Sequence, residues 1–158
     1  MTKISKVSIS DLRTLAKTET DINNMWEILK ACNGDIGVLT YLARNPNIIK
    51  DLSFISEICR KGDYTIRVII VESIEDEDIL SKFVEDNDVC VRLAVARKTK
   101  KNETIEKLSQ DNWWGVRLEL ITRNENLPKH IIEKFAKDSN EHYKIRGIAQ
   151  EMLKGISE

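Results

Sequence analysis

The sequence is poor in the residues that tight turns, disulfides and membrane spans require. Only six of its 158 residues are glycine and two are proline, which argues against an all-β domain because such domains need many turns. The three cysteines, Cys32, Cys59 and Cys90, are odd in number and widely separated, so we expect free thiols. The apolar runs are far shorter than the roughly 20 residues of a membrane span, and the first residues lack the apolar core of a signal peptide. A cytoplasmic protein is expected.

The chain also lacks an excess of charge of either sign. It has 25 basic and 26 acidic residues, a net charge of -1, which excludes the strongly basic composition that is typical of many nucleic-acid-binding domains. A hydrophobic content of 41% excludes a disordered chain. The length fits one ordinary domain or a short array of repeats.

An internal repeat is present. A branched apolar residue followed by arginine occurs four times, and the arginines are spaced by 25, 25 and 29 residues: Arg67, Arg92, Arg117 and Arg146. Apolar pairs between them are spaced by 25, 25 and 27 residues: Ile55/Ile58, Leu80/Phe83, Ile105/Leu108 and Ile132/Phe135. Two series with matching periods predict a repeated supersecondary unit.

Each unit has the pattern of two short helices. Apolar residues follow i, i+3, i+4 spacing in both helices, and several polar residues stand where helix N-caps are expected: Ser8, Asp21, Asp35, Asp63 and Asp88. Asn33-Gly34 and Lys61-Gly62 are typical helix ends. The segment 64–71 is rich in β-branched residues, but its counterpart 91–96 has a helical pattern, so we predict a helix there as well.

The repeat predicts a single helical-repeat domain over residues 1–158. Residues 1–37 would form degenerate N-terminal capping repeats, residues 38–150 the recognisable repeats, and residues 151–158 the C-terminal end.

The segment 88–97, together with segment 111–118, resembles the leucine-rich repeat variant family and the related HEAT-like repeats. The resemblance covers about residues 38–150 and implies an all-α fold, a right-handed α-solenoid of about five two-helix repeats. It also implies a structural ladder in which aspartates and arginines of neighbouring repeats pair: Asp86, Arg92, Asp111 and Arg117, continued by Arg67 and Arg146. Lys61 replaces the acid in one repeat, and Asp138 lies two residues too far from Arg146. The cysteine cluster that carries an iron–sulfur centre in the variant family has no counterpart here, so no metal or cofactor is expected.

Motifs for catalysis are not recognisable. His130 and His142 have no Cys or carboxylate partner at a ligand spacing, and each is interpreted as an exposed residue at a helix start. The glycine-rich motifs that bind phosphate are missing from the sequence. We therefore expect a protein that is not an enzyme.

Charge is distributed unevenly along the chain. Residues 61–90 contain three basic and nine acidic residues, a net charge of -6, concentrated in an acidic block: Glu72, Glu75, Asp76, Glu77 and Asp78. A basic run, residues 97–101, follows about one repeat later. Three interpretations remain open: the two turns attract each other, the acidic block binds a basic protein, or the basic run contacts nucleic acid.

Two adjacent tryptophans, Trp113 and Trp114, open a helix at the position of Asp88-Val89 one repeat earlier. They either pack at the repeat junction, or one of them anchors an interface. The sequence favours a protein-binding module, in its most concrete form an inhibitor of the immunity-protein or antitoxin type that occludes a basic toxin such as a nuclease.

Two other functions stay open. Alkylated-base DNA glycosylases of HEAT-like type have a similar repeat style, and in such a protein four residues would serve the site: Asp111, Trp113, Trp114 and Arg117. A self-associating scaffold, for example a homodimer, is the third hypothesis, because the C-terminal segment 145–153 is not a strongly polar cap.

Overall fold

The protein is all-α. A computed structural model describes residues 7–156, and in this part of the chain it contains eleven α-helices and no β-strand. The helices are α1 Ile9–Thr18, α2 Ile22–Ala31, α3 Ile36–Ala43, α4 Leu52–Lys61, α5 Tyr64–Ser73, α6 Glu77–Leu80, α7 Val89–Lys98, α8 Asn102–Leu108, α9 Trp114–Arg123, α10 Lys129–Lys137 and α11 Tyr143–Ile156. Short 3-10 helices cover Pro46–Lys50 and Ser81–Phe83. The all-α prediction is confirmed, including the helix over the β-branched segment.

Local signals fix many of the helix ends. All five predicted N-caps accept a hydrogen bond from a main-chain N–H of the first turn with their side chains. Asp51 and Asp76 cap α4 and α6 in the same way, although we did not predict them. Asn33 and Gly34, with φ of 48° and 78°, form the left-handed turn that follows α2.

Helix contacts divide the chain into two compact units, and the division falls between Ile74 and Glu75. In the first unit α3 packs against α1 and α5, with α2 and α4 alongside. Its fully buried side chains come from all five of these helices: Leu12, Met25, Leu39, Phe54 and Ile66 are examples. Burial of these apolar surfaces is the main source of stability for helices this short.

In the second unit α9 packs against both α7 and α11. Helix α8 packs on α9, and α10 packs on α11. Helices α7 and α9 run in the same direction, because Arg92 near the start of α7 contacts Asp111 before α9, while Asn124 after α9 contacts Thr99 after α7. The N-terminal ends of α7 and α9 therefore share one edge of this unit.

A buried asparagine joins parallel helices in each unit. Asn124 Nδ2 donates to the carbonyls of Ala96 and Thr99, at 2.9 and 2.7 Å, at the end of α7. In the first unit Asn45 Nδ2 donates in the same way to Glu19 at the end of α1, at 2.7 Å. These bonds satisfy carbonyls that a helix end leaves without an intrahelical partner.

None of the helices in the described part of the chain is long and apolar enough to cross a membrane.

Candidate functional site

An arginine lies at the junction of α7 and α9 in the second unit. Arg92 Nε and Nη2 donate to the two carboxylate oxygens of Asp111, at 2.7 and 3.2 Å, and Nη1 donates to the carbonyl of Asp86 at 2.8 Å. The Asp111 side chain is 7% exposed. The hydrogen bonds to Asp111 raise the pKa of Arg92 above its ordinary value, and the partial burial of Arg92 opposes this shift. Arg92 thus ties two successive turns together.

Arg117 repeats this arrangement one repeat later, with a glutamate as its partner. Its Nε and Nη2 donate to the carboxylate of Glu141 at 2.8 and 2.7 Å, and its Nη1 donates to the carbonyl of Asp111. Burial alone would raise the pKa of Glu141, but hydrogen bonds from Arg117 and from the His142 N–H bring it below its ordinary value. Asp138, the acid at the sequence position of the ladder, accepts from the N–H of Asn140 instead.

The remaining ladder arginines differ from these two. Arg146 Nη1 donates to the carbonyls of Ser139 and Glu141, at 2.9 and 3.2 Å. Arg67 lies half-buried on α5, in the first unit.

Two open clefts lie beside these pairs. The larger, of about 530 Å³, is lined by the turn that holds Asp86 and by the turn that holds Asp111, with Arg92 between them. The smaller, of about 340 Å³, is its counterpart around Arg117 and Glu141. Both linings are mainly polar and contain acids and bases together, so neither cleft has the apolar character of a typical small-molecule site.

A row of four aromatic side chains, which we call the aromatic row, lies at the N-terminal ends of α9 and α11: Trp113, Trp114, His142 and Tyr143. The rings of Trp114 and His142 are nearly parallel, with centroids 4.2 Å apart and an interplanar angle of 8°. Tyr143 stacks on His142 at 4.7 Å, and Trp113 lies 6.1 Å from Trp114. Trp114 and Tyr143 both stack on the His142 ring and cannot share one of its faces, so His142 lies between them.

The ends of this row face solvent. Tyr143 is 66% exposed and Trp113 is 49% exposed, whereas Trp114 and His142 are half-buried. Seven large apolar residues are exposed in the described part of the chain, and six of them stand at the start of a helix: Ile9, Ile36, Leu52, Tyr64, Trp113 and Tyr143. Among the described residues, stacked rings occur in this row, whereas the rings of Trp26 and Phe54 meet edge to face.

Neighbouring residues hold the row in position. The Trp113 N–H donates to Asp111 Oδ1 at 2.8 Å, so the carboxylate that pairs with Arg92 also fixes the start of α9. A Cβ on Gly115 would overlap the indole nitrogen of Trp113, so glycine here leaves room for the ring above the first turn. His142 Nδ1 accepts from the N–H of Lys144 at 3.3 Å and thereby caps α11.

The sequence pointed to only half of the row. We predicted Trp113 and Trp114 as candidate anchors, but we interpreted His142 as an exposed residue without a role and did not select Tyr143. The signal was present, because Trp113-Trp114 and His142-Tyr143 are 29 residues apart, the same separation as Arg117 and Arg146. Both pairs therefore occupy equivalent positions in adjacent repeats.

The acidic block is engaged within the protein to different degrees. Asp76 accepts from the N–H groups of Asp78 and Ile79, at 2.8 and 3.1 Å, and so caps α6. Glu77 accepts from Thr99 Oγ1 at 2.8 Å and from the Lys100 N–H at 2.9 Å. These two carboxylates hold local structure.

The outer members of the block form ion pairs with the basic run. Glu75 contacts Lys98 Nζ at 3.0 Å and Asp78 contacts Lys101 Nζ at 2.6 Å, yet their side chains are 87% and 84% exposed. The Lys101 ammonium lowers the pKa of Asp78. Glu72 lies exposed on α5. The two oppositely charged turns are adjacent in the second unit, and Glu75 and Asp78 still reach solvent.

No protein-family model matches the chain. No curated protein and no solved structure matches it significantly. Within residues 7–156, no group of three or more His, Cys, Asp or Glu side chains is arranged to bind a metal ion.

Proposed function

We propose that this protein is a non-enzymatic protein-binding module whose partner is a basic protein. The observation that carries the proposal is the aromatic row, which presents Trp113 and Tyr143 to solvent at one edge of the second unit. Tryptophan and tyrosine are enriched at binding hot spots because they bury a large area with little loss of side-chain entropy. The row is held by the surrounding turns, so little ordering is needed on binding.

The architecture we propose is a right-handed α-solenoid of HEAT-like two-helix repeats. It is supported by side-chain contacts between residues about one repeat apart in sequence, which occur in both units. Arg13 pairs with Asp35 in the first unit and Arg97 with Glu119 in the second, both at a separation of 22 residues. Solenoid repeats contact mainly their neighbours and commonly bind macromolecules on the extended surface that results.

The acidic block contributes the second part of the proposal. Exposed ion pairs such as those of Glu75 and Asp78 stabilise a fold by only about 0–1 kcal/mol, so a cationic partner can replace their lysines at little cost. Exposed carboxylates also increase the association rate of a basic partner through long-range attraction. An inhibitor of the immunity-protein or antitoxin type, which covers the basic surface of a toxin such as a nuclease, is the most concrete form of this function.

A comparative affinity capture tests the proposal. The purified protein and the double variant W113A/Y143A are used as baits in nuclease-treated and untreated lysates of the source cells, and captured proteins are quantified by mass spectrometry. Y41A is the matched control, because Tyr41 is an exposed aromatic residue of α3, outside the row. We expect a stoichiometric basic protein that binds the native protein and Y41A but is lost with W113A/Y143A.

Two results would contradict the proposal. If the same proteins are captured by the native protein and the double variant, the row is not the interface. If capture disappears on nuclease treatment, the protein binds nucleic acid instead, and the basic run 97–101 becomes the first segment to test.

A further inference from the structure

We infer that the aromatic row binds an arginine side chain of the partner protein, with the guanidinium stacked on an exposed ring of the row. This inference rests on the proposed function and adds the chemistry of recognition. The faces of aromatic rings carry negative electrostatic potential and attract cations, most strongly where the rings are partly removed from water. Trp113 and Tyr143, the two exposed ends of the row, are the ring types that bind cations well.

Acidic residues outnumber basic ones in the three chain segments along the edge that carries the row. The turns and first helical turns along this edge, residues 84–92, 109–117 and 138–146, contain six acidic and four basic residues, a net charge of -2. Three of the four basic residues are the ladder arginines: Arg92, Arg117 and Arg146. Their guanidinium groups donate to carboxylates or main-chain carbonyls of the same turns. The fourth basic residue is Lys144, and Lys107 and Lys134 line the two clefts on this edge, where they contact Glu85 and Ser109. The excess of acidic residues lies in the turn 84–92, next to the turns that carry the row.

Two carboxylates on this edge could pair with a bound cation. Asp138 is exposed in the turn before α11, and Asp88 caps the neighbouring helix α7. Each accepts a hydrogen bond from a main-chain N–H, of Asn140 and of Cys90 respectively. A guanidinium on the row therefore has carboxylates on the same edge, and its planar fork can donate to a carboxylate while its face stays on a ring.

The same features distinguish arginine from lysine and from nucleic acid. A planar guanidinium stacks on a planar ring and is weakly hydrated, whereas an ammonium group is compact and strongly hydrated. Nucleic-acid bases also stack on aromatic side chains, but single-stranded binding sites combine such rings with a positively charged groove. The turns that carry the row, residues 109–117 and 138–146, contain three acidic and three basic residues, so they do not form such a positively charged groove.

The experiment is a peptide titration of the ¹⁵N-labelled full chain, followed through the indole N–H signals of its three tryptophans. The probe is a terminally blocked pentapeptide that contains two arginines. The same peptide with lysine or with neutral citrulline in place of arginine provides the comparison, and a short oligothymidylate is titrated in parallel. Trp26 is the internal control, because its indole donates to Asp51 in the first unit.

We expect the arginine peptide to shift the signals of Trp113 and Trp114 but not that of Trp26. The lysine and citrulline peptides should bind roughly threefold to tenfold more weakly. W113A and Y143A should each weaken the arginine peptide by a similar factor, and Y41A should not. Unchanged main-chain amide signals of buried residues of the second unit, for example Val91 and Leu120, establish that a variant is folded there, and the comparison of peptides on the native protein does not depend on any variant.

Three outcomes would overturn the inference: no shift with the arginine peptide, equal shifts with arginine and citrulline, or a shift only with the oligothymidylate. These are distinguishable from failure of the proposed function. If a captured partner requires Trp113 and Tyr143 but the peptide titration fails, the protein-binding function is supported and the binding of arginine is rejected. If capture does not depend on Trp113 and Tyr143, the proposed function itself is rejected.

Discussion

Asp51 shows how a single carboxylate connects two helices at the residue scale. Its Oδ1 accepts from the N–H groups of Ser53 and Phe54, at 2.9 and 3.0 Å, and so caps α4. Its Oδ2 accepts from the indole nitrogen of Trp26 on α2 at 3.0 Å. The indole hydrogen bond is the largest cause of a lowered Asp51 pKa, main-chain hydrogen bonds add to it, and burial opposes it.

We predict that D51N makes the stability of the protein less dependent on pH in the acidic range. The pKa of Asp51 is lower in the folded protein than the ordinary value of about 3.9 in an unfolded chain, so the folded state binds fewer protons. Its stabilising contribution is present above about pH 4 and is lost as the pH falls through the folded pKa. Asparagine retains the cap but does not titrate.

The measurement is the urea midpoint of both proteins from pH 7 to pH 2.5. The midpoint of D51N should fall less steeply below pH 5 than that of the native protein, and their difference should shrink on acidification. Parallel curves at all pH values would show that Asp51 does not carry this dependence. Asp21→Asn is the matched control, because Asp21 caps α2 through the N–H of Asn23.

Residue-scale features were predictable from the sequence where they are local. The five N-caps need only a short polar side chain next to an apolar helical pattern, and all five are present. Glu141 was not predictable in this way, because the longer turn before α11 puts Glu141 and not Asp138 beside Arg117. Asn124 was missed because its partners are 25 and 28 residues away and no local pattern marks them.

At the scale of elements, α6 is too short to be stable alone. It spans only Glu77–Leu80, and isolated helices below about 12 residues are marginal in water. The Asp76 cap and the hydrogen bonds of Glu77 to Thr99 and Lys100 fix it to the end of α7. Two members of the acidic block therefore stabilise a helix, a role that the charge pattern alone did not indicate.

This arrangement predicts different effects for neighbouring glutamates. E77A should destabilise the protein by about 1–3 kcal/mol, because it leaves the buried Thr99 hydroxyl and the Lys100 N–H without their acceptor. E75A should change stability by less than about 0.5 kcal/mol, since Glu75 is almost fully exposed. Urea denaturation of both variants checks this. Equal effects would show that Glu77 is no more structural than Glu75.

Sequence reasoning about elements was most reliable where it used the repeat. The β-branched composition of α5 favours a strand when that segment is read alone, and its equivalence to α7 identified it as a helix. The aromatic row was only half predicted because the repeat was not used to compare side chains. Trp113-Trp114 attracted attention through rarity, while His142-Tyr143 becomes significant only when the equivalence of α9 and α11 is applied to side chains.

At the largest scale, each unit contains many side-chain contacts between residues about one repeat apart in sequence. Within each unit, polar contacts between residues 19 to 25 positions apart link one repeat to the next, as with Trp26–Asp51 and Arg92–Asp111. In the repeat array that we propose, stability is close to a sum of repeat terms and nearest-neighbour terms, so damage to one junction weakens its own surroundings most. The sequence predicted one domain over residues 1–158, whereas helix contacts group the chain into two units.

The two buried asparagines allow a test of how far the chain folds as one body. N124A removes two hydrogen bonds to carbonyls at the end of α7, and N45A removes the equivalent bonds at the end of α1. Each substitution should lower the free energy of unfolding by about 1–3 kcal/mol. Because junction energies act locally, N124A should lower amide hydrogen-exchange protection in residues 75–156 and leave the protection of α1 to α5 nearly unchanged, and N45A should do the reverse. If either variant lowers protection equally in both units, the repeats unfold as the single cooperative domain that the sequence predicted, and the junctions are coupled over the whole chain.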